Sequence, residues 1–518
     1  MSFEELIELT NKYIWSSALV YLCLAAGVYF SLRTVFLQVR CIPDMLTQLK
    51  AGEKSADGTS SMQSLMMSLA GRVGMGNIGG VATAIAFGGP GAVFWMWTVA
   101  FLGAATSFIE CTLGQIFKEK DLDTGEYRGG PAYYLSKAYQ HTSFSGALKV
   151  YAVVFAIVTV FATSYFLPGV QANGMAAAMG EAWGVAHWVV ALGAVILLAF
   201  IVIGGVKRIA TFAVYVVPVM AVLYIVLALI VFFVNFDQIP HVFSLIFSSA
   251  FGSHAVFGAI LGMAVQWGVQ RGIYSNEAGQ GTSPHAASAA EVSHPAKQGF
   301  AQSFAVYIDT LFVCTATAFI IISTNMYNVF SGGDEDSAKL FTGSVADSVK
   351  VGPGYVQNGF DTVFGGWGPS FVAIALAFFA FTTIVAYYYM AEVNTSFLVR
   401  NLKSPILRRG AIRAVQGLIL ISVAYGAVAT TGAAWGLGDI GVGSMAWLNI
   451  VGILLLQGPA LKALKDYQQQ KNAGLDPQFD PRKVGIRNAE FWELRADGLV
   501  KQGMTGEELA AKADTADA

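Results

Sequence analysis

Two stretches of this chain place polar residues and glycines inside otherwise apolar sequence. Residues 68–80 contain five glycines within ten positions, together with Arg72 and Asn77, and residues 267–279 contain Arg271 between further glycines. A membrane helix interrupted in this way frees amides that can face a carboxylate and carbonyl oxygens that can coordinate a cation. The chemistry favoured by these residue types is therefore non-covalent binding and not bond making.

The alternative interpretation is that the glycines only allow neighbouring helices to pack closely. The polar residues in the same stretches favour a site, because polar groups at membrane depth are costly unless they are paired or functional. No HExxH, clustered Cys/His spacing or phosphate loop occurs, so we expect no enzyme, no cofactor and no ATP-driven step. The scattered cysteines predict neither a disulfide framework nor a metal site: Cys23, Cys41, Cys111 and Cys314.

The elements that position these stretches must be membrane helices. Of 518 residues, 55% are hydrophobic and 12% are charged, and the mean hydropathy is +0.57; soluble domains are about 25% charged. A net charge of −2 does not favour nucleic acid. Apolar runs of about 20 residues predict an all-α protein with eleven spans: 13–36, 61–86, 91–117, 147–167, 184–206, 209–235, 255–280, 300–326, 369–399, 411–431 and 436–461.

Basic residues predict the orientation of these spans. Of the 31 Lys and Arg residues, 25 fall in the tail or in connections that follow odd-numbered spans, including 118–149 and 400–413. Only Lys12, Lys339 and Lys350 fall on the opposite side. Because cytoplasmic loops are enriched in Lys and Arg, the amino terminus is predicted outside and the carboxy terminus in the cytoplasm.

The two interrupted spans are separated by five spans, which predicts two five-helix repeats. An odd repeat length places the repeats in opposite orientations, as in secondary transporters whose sites lie between interrupted helices. The predicted organisation is an extra helix and its connection (1–60), a first repeat (61–235), a second repeat (236–465) and a cytoplasmic tail (466–518). The last 25 or so tail residues are predicted to be disordered.

Three motifs resemble those of the alanine or glycine:cation symporter family. They are 74–80, 128–134 and 271–281, and the Ser-Asn-Glu-Ala-Gly run in the third is specific to that family. The resemblance covers about residues 14–465. It implies sodium-coupled uptake of small neutral amino acids across the bacterial cytoplasmic membrane, in a ten-helix inverted-repeat core like that of the bacterial leucine transporter, with one added helix.

The resemblance also implies a sodium site made of oxygen atoms. Backbone carbonyls near Ala70 and Val73 would supply one half, and the paired hydroxyls of Thr382 and Thr383 the other. Oxygen ligands suit a hard cation. Without the resemblance, the preferred interpretation of both threonines is a hydrogen bond to the preceding helical turn.

An amino-acid site is implied next to the sodium site. Its carboxylate would meet freed amides and the Asn77 side chain, and its ammonium would meet carbonyls at the second break and the Thr382 hydroxyl. Gln171 is a further contact by resemblance and a plain loop residue otherwise. Trp267 would close the pocket over a methyl-sized side chain, although packing alone explains an aromatic residue there. The predicted set is Gly74, Gly76, Asn77, Gln171, Trp267, Gly268 and Thr382.

The charged residues inside spans leave alternatives open. Arg72 stands where the leucine-transporter pattern has a small residue, and its charge would repel a second cation, so we expect no second sodium site beside the substrate. Arg271 and Glu277 are predicted to form an inner gate. Glu110 and Asp309 keep proton coupling as the alternative mechanism, and Glu392 and Asp439 have no predicted role. A passive channel and a membrane enzyme or sensor are the rivals from other classes.

Overall fold

The computed structural model describes residues 2–511 apart from 50–57, 123, 203–204, 255, 258–259, 501–503 and 510, and it gives no side-chain detail for 205–214. Lys50, Lys54, Lys207 and Arg208, which contributed to the predicted orientation, lie outside the described residues or have no described side chain. The chain is mostly helical.

The helices of the first half are α1 Phe3–Ile14, α2 Ser17–Arg33, α3 Leu37–Arg40, α4 Ile42–Gln48, α5 Ser61–Arg72, α6 Val81–Gly88, α7 Gly91–Ile116, α8 Pro131–Lys137, α9 Ser145–Phe161, α10 Leu167–Trp183, α11 His187–Val202 and α12 Gly205–Val234. The helices of the second half are α13 Ile239–Ala250, α14 Leu261–Asn276, α15 Ser283–Ala289, α16 Pro295–Tyr307, α17 Thr315–Ser323, α18 Pro353–Phe364, α19 Gly368–Val399, α20 Pro405–Val428, α21 Thr431–Leu456, α22 Gly458–Asn472 and α23 Glu490–Ala496.

Four short strands depart from the all-α prediction. They form two antiparallel hairpins, β1 Glu119–Lys120 with β2 Tyr127–Arg128, and β3 Asn328–Phe330 with β4 Lys339–Thr342. Both hairpins lie in connections between long helices. The glycines and acidic residues of 327–360 predict a flexible external loop. The β3–β4 hairpin shows instead that part of this connection is ordered, with the side chains of β3 buried.

Seven of the described helical segments are long and apolar enough to cross a membrane. An eighth is obtained if α1 and α2, which are bent by 41° at a short break, count as one span. The count of eleven is therefore not confirmed. The remaining predicted spans are short or interrupted, since α11 has 16 residues and α5 ends in the middle of the second predicted span.

The second predicted span consists of three pieces. The capping box of Ser60 and Gln63 begins α5, which ends at Arg72 because Val73 is extended. A π-helical turn over Gly76–Gly80 then leads into α6. The interrupted helix predicted from the glycines is therefore present, and α14, the helix of the seventh predicted span, packs beside it.

Two predicted boundaries are wrong in ways that matter for the site. The fourth predicted span stops at 167, but α9, a π-helical turn over Ala162–Phe166 and α10 form one continuous segment to Trp183. The π-helical turn lies directly before Pro168, which has no N–H to donate to a regular helix. The tail is also more ordered than predicted, because Met504 and Leu509, within its last 25 residues, are buried and Met504 O accepts a hydrogen bond from Lys120 Nζ at 2.9 Å. The end of the tail, 512–518, lies outside the described residues.

Candidate functional site

Glycines bring the two interrupted spans and α19 into close contact. A Cβ atom built on Gly76 would lie 3.1 Å from the Cα atom of Ser275 in α14. A Cβ atom on Gly74 would lie 2.5 Å from Thr383 Oγ1 and 2.7 Å from Gln171 Oε1. Only a residue without a side chain allows this approach. The first break is therefore the meeting point of α10, α14 and α19.

The end of α5 leaves two backbone carbonyl groups without their helical partners. In a continuous helix Ala70 O would accept from the amide of Gly74, but that amide donates to Asn77 Oδ1 at 2.8 Å. Val73 O likewise loses the amide of Asn77, which donates to Gly74 O at 3.2 Å. Both freed oxygen atoms turn toward α19.

The hydroxyl group of Thr383 faces these two carbonyls. Its Oγ1 atom lies 2.9 Å from Ala70 O and 3.2 Å from Val73 O, and also 2.9 Å from Phe379 O in its own helix. Thr382 differs, because the hydrogen bond given for its hydroxyl runs back to Phe379 O at 2.9 Å. The structure thus brings together three of the four predicted sodium ligands, and for Thr382 it shows the back-bonded alternative.

Gln171 is buried in α10 and contacts the first break. Its Oε1 atom accepts a hydrogen bond from the freed amide of Met75 at 2.8 Å. The interpretation of Gln171 as a plain loop residue is wrong, because α10 continues past it to Trp183. Helix α10, which extends beyond the predicted end of its span, places the Gln171 side chain at the first break.

Asn77 has a different partner from the one predicted. Its Nδ2 atom donates to Asp309 Oδ1 at 2.6 Å and also contacts the sulfur of Cys314. The other carboxylate oxygen of Asp309 accepts from Ser275 Oγ at 2.9 Å and from Thr310 Oγ1 at 2.7 Å. The Asn77 amide group thus joins the two interrupted spans through Asp309, and its predicted role as a further donor to the substrate carboxylate stays a prediction.

Arg72 points away from this cluster. Its guanidinium group donates to Gln302 O at 3.2 Å and to Ser283 Oγ at 2.6 Å, with a longer bond to Ser107. These partners belong to α16, α15 and α7. All three partners are neutral, so the charge of Arg72 is not compensated by them, and the expectation that it disfavours a second cation near the first break stays a prediction.

The second break lies later in the chain than predicted. Helix α14 is regular through Trp267 and Gly268 and ends at Asn276, and the irregular backbone follows, with positive φ at Glu277 (58°), Gly279 (81°) and Gly281 (85°). The carbonyls at Trp267 and Gly268 are therefore not freed to meet an ammonium group. Gly268 serves helix packing instead, since a Cβ atom there would lie 2.5 Å from Ala92 O.

Glu110 holds the second break in place. From α7, its fully buried carboxylate accepts hydrogen bonds from the amides of Gly279 at 3.1 Å and Gly281 at 3.2 Å, and from Asn449 Nδ2 at 2.7 Å. Without Glu110 the two amides would be unsatisfied inside the protein, while Asn449 Nδ2 also donates to Gly279 O at 2.9 Å. The geometry gives Glu110 a positioning role.

Arg271 and Glu277 do not form the predicted gate pair. Arg271 makes two parallel hydrogen bonds to Asp439, at 2.8 and 2.9 Å, and its guanidinium carbon lies 4.3 Å from the ring centroid of Trp435. Glu277 is buried, and among the described residues neither of its carboxylate oxygens has a hydrogen-bond partner. Arg271 lies in α14 before the irregular backbone, and its placement at an inner gate stays a prediction.

Trp267 lies two helical turns before Ser275, about 12 Å along the axis of α14. Its ring centroid is 5.1 Å from that of Phe87 at the end of α6, and Phe87 in turn contacts Phe330 of β3. The residue belongs to an aromatic cluster beyond the Arg271–Asp439 pair. It does not line the contact between the two breaks.

The comparison with known sequences decides which family this architecture represents. The profile described as "Sodium:alanine symporter family" matches residues 1–481. The chain belongs to the sodium:alanine symporter family. It is 52% identical over 483 residues to YrbD of Bacillus subtilis (strain 168), with 93% of this chain and 96% of that protein covered.

Two further relatives have names that describe transport. The chain is 46% identical to the "Sodium/proton-dependent alanine carrier protein" of Bacillus sp. (strain PS3), covering 87% of this chain and 97% of the relative. It is 33% identical to the "Sodium/alanine symporter AgcS" of Methanococcus maripaludis, covering 90% and 98%. As a member of this family, the protein is a polytopic membrane transporter that couples alanine to a cation, and not an enzyme.

In this member of the sodium:alanine symporter family, the sequence did not predict Ser275 as a partner of Asp309 or Asp439 as a partner of Arg271. Asp309 itself was predicted only as part of a proton relay. Ser275 lies in the Ser-Asn-Glu-Ala-Gly run, so its position in the motif was a usable signal. Asp439 had no such signal, because it lies in an apolar span 168 residues after its partner Arg271.

Proposed function

We propose that this symporter imports alanine and glycine together with sodium by alternating access. The observation that carries the proposal is the position of the Thr383 hydroxyl between the freed carbonyls of Ala70 and Val73. One hydroxyl hydrogen faces three carbonyl oxygens and can serve only one of them well. The set is rich in oxygen lone pairs, and a hard cation with oxygen ligands suits it.

The proposed sodium ligands are Ala70 O, Val73 O and Thr383 Oγ1, with Thr382 Oγ1 as a fourth after a change of rotamer. Both carbonyl oxygens already lie within 3.2 Å of Thr383 Oγ1, so a cation would replace hydrogen bonds that the hydroxyl now shares. Coordination would also fix the end of α5 against α19. Sodium binding would in this way prepare the first break for substrate.

The proposed amino-acid site lies at the amides of the first break. Gly74 and Met75 donate to the side-chain oxygens of Asn77 and Gln171, which are neutral groups that a carboxylate can displace. The amides of Gly76 and Asn77 complete the proposed set. The glycine contacts with Thr383 and Ser275 leave little room, which supports alanine and glycine over larger amino acids.

Proton coupling is the second candidate, and the Asp309 cluster favours it. The Asp309 carboxylate is fully buried and accepts hydrogen bonds from the neutral groups of Asn77, Ser275 and Thr310. A buried carboxylate without a basic partner is costly as an anion and can be stabilised by a proton. A cation would stabilise it equally well, so the site alone does not separate the two.

Alanine uptake into proteoliposomes tests the coupling ion. Sodium is titrated at fixed pH on both sides of the membrane, with a protonophore present. We expect saturable stimulation by sodium and no uptake when potassium replaces it. In a separate assay without the protonophore, uptake that follows an imposed pH gradient in the absence of sodium would replace the proposal with proton coupling. Counterflow of labelled glycine and alanine separates a carrier from a channel.

The proposed membrane organisation has eleven spans, with an added helix (1–60), two inverted five-helix repeats (61–235 and 236–465) and a cytoplasmic tail (466–518). The protein would lie in the bacterial cytoplasmic membrane with its amino terminus outside. The abundance of Lys and Arg in connections that follow odd-numbered spans supports this orientation. A fluorescent protein fused to the carboxy terminus should fluoresce, because it would remain in the cytoplasm.

A further inference from the structure

A cavity of about 470 Å³ opens on the face that we propose to be cytoplasmic. It lies between the β1–β2 hairpin, the last turn of α19 and the first turns of α20. The transport site described above lies elsewhere, at the first break. Six basic residues outnumber three acidic ones in the lining of the cavity, which is therefore positively charged. The basic residues are Lys120, Arg128, Arg400, Arg408, Arg409 and Arg413, and the acidic residues are Glu119, Asp121 and Glu392.

The acidic residues neutralise one side of the cavity. Arg128 is paired with Asp121 at 2.6 Å and with Glu392 at 2.9 Å. Arg400 is paired with Glu119 at 3.3 Å. Burial tends to raise the pKa of Glu119, but Lys137 and Arg400 outweigh it and hold that pKa below its usual value, so this carboxylate is ionised. These pairs leave the α20 side of the cavity with uncompensated charge.

Arg409 and Arg413 of α20 supply that charge, whereas the neighbouring Arg408 has partners. Arg408 contacts Leu402 O and, at 3.3 Å, the tail carboxylate of Glu507. Arg409 and Arg413 are exposed, and within the described part of the chain they make no hydrogen bond or ion pair. Residues four apart lie on the same face of a helix, so both guanidinium groups line the cavity together.

The same turns of α20 expose large apolar side chains. Ile406 is 81% exposed and Leu407 is 60% exposed, directly before the arginines. Apolar side chains next to uncompensated arginines are typical of the boundary between acyl chains and head groups. A soluble phosphate compound would have no use for the apolar part. This juxtaposition favours a membrane lipid as the source of the anion.

We propose that the cavity binds the phosphate head group of an anionic phospholipid from the cytoplasmic leaflet, with Arg409 and Arg413 as the main contacts. The planar guanidinium group binds phosphate oxygens with two parallel hydrogen bonds, which suits a phosphodiester better than a point charge does. The acyl chains would lie beside Ile406 and Leu407. The proposed site concerns lipid recognition and is independent of the coupling ion and the transported amino acid.

Native mass spectrometry of the purified full-length protein tests the site, with phosphatidylglycerol and phosphatidylcholine as the lipid probes. We expect the wild-type protein to retain phosphatidylglycerol preferentially. The double variant Arg409→Gln/Arg413→Gln should lose about 30-fold in phosphatidylglycerol affinity, since each basic residue near a membrane surface contributes about a factor of five. The matched control Lys465→Gln/Lys483→Gln removes two exposed charges outside the cavity and should bind like the wild type.

Three results would overturn the proposal. The first is equal retention of both lipids by the wild type. The second is an equal loss of phosphatidylglycerol affinity in the arginine and lysine variants. The third is displacement of the lipid by millimolar inorganic phosphate, which would identify a free phosphate as the ligand. Thermal unfolding of each variant checks that it is folded, and a single variant, Arg413→Gln, provides a milder change. Sodium-driven alanine uptake is measured separately, so a failure of the proposed transport function would leave the lipid result intact.

Discussion

The amides freed at the first break are satisfied by the neutral side-chain oxygens of Asn77 and Gln171, whereas those freed at the second are satisfied by the carboxylate of Glu110. One side chain, Glu110, holds both amides of the second break through its two oxygen atoms, whereas at the first break two separate amide oxygens hold one amide each. A substrate carboxylate could therefore displace the neutral oxygens at the first break. The same ligand would gain little at the second, where a carboxylate is already in place.

An interrupted membrane helix is therefore not by itself a binding site. At the first break, carbonyls and amides both face groups from other helices that a ligand can replace. At the second, Glu110 and Asn449 hold the irregular backbone from two helices that are far apart in sequence. We infer that the first break exchanges partners during transport, while the second acts as a fixed bend.

Glu110→Ala should have the largest effect, because it removes the acceptor of three buried donors at the second break. The amides of Gly279 and Gly281 would be left unpartnered at about 1–3 kcal/mol each, so the free energy of unfolding should fall by about 2–6 kcal/mol. Thermal unfolding in detergent measures the loss. Glu110→Gln keeps one carbonyl oxygen and should lose less. An unchanged unfolding temperature in Glu110→Ala would show that the second break does not depend on this residue.

Thr383→Ala should weaken sodium dependence at the first break. The sodium concentration for half-maximal alanine uptake should rise about tenfold or more, because a hydrogen bond or ligand to a charged group contributes about 1.5–3 kcal/mol. Thr383→Ser keeps the hydroxyl and should behave nearly as the wild type.

The neighbouring residue sharpens this test. Thr382→Ala removes a hydroxyl for which the structure gives only a bond within its own helix, so its effect should be about threefold or less. If neither alanine variant changes the sodium dependence, the proposed ligand set is wrong. An equal effect of the two would show that Thr382 coordinates the ion as fully as Thr383.

Asn77→Ala should lower alanine affinity by about tenfold, equivalent to about 1.5 kcal/mol, because it removes both the acceptor of Gly74 N–H and the donor to Asp309. Titration calorimetry with alanine in sodium buffer measures the change. Thr83→Ala is the control, since its hydroxyl only bonds back to Gly79 O at 2.6 Å. Unchanged binding in Asn77→Ala would mean that Asn77 only supports packing.

Trp267→Ala should have the smallest effect on substrate choice. In the wild type, glycine and alanine should compete for uptake while leucine does not, because each excess methylene in a closed site costs about 1–3 kcal/mol. Because Trp267 lies two turns from the contact between the breaks, its removal should change the competition by leucine less than about threefold. New competition by leucine would place Trp267 at the pocket wall, and strong competition in the wild type would contradict a small pocket.

Much of the fold could be predicted because hydrophobicity is a local property. A run such as 91–117 identifies a span without knowledge of its neighbours, and α7 covers Gly91–Ile116. Boundaries were wrong where a helix continued through an unexpected residue, as α10 does around Pro168. The position of the second break was wrong because glycines within α14, such as Gly268, serve packing, and composition does not distinguish these two uses.

The amino-acid sequence by itself determined that this is a membrane transporter of its family, that the helix around 71–80 is interrupted, and that hydroxyl, amide and carboxylate groups are available. Only the tertiary structure decided which groups meet. Asn77 and Asp309 are 232 residues apart, and Thr383 and Ala70 are 313 residues apart. Helix breaking and membrane insertion follow from the residues within one segment. The choice between Thr382 and Thr383, or between Asp439 and Glu277 as the partner of Arg271, depends on how distant helices rotate and pack against one another, which no local pattern encodes.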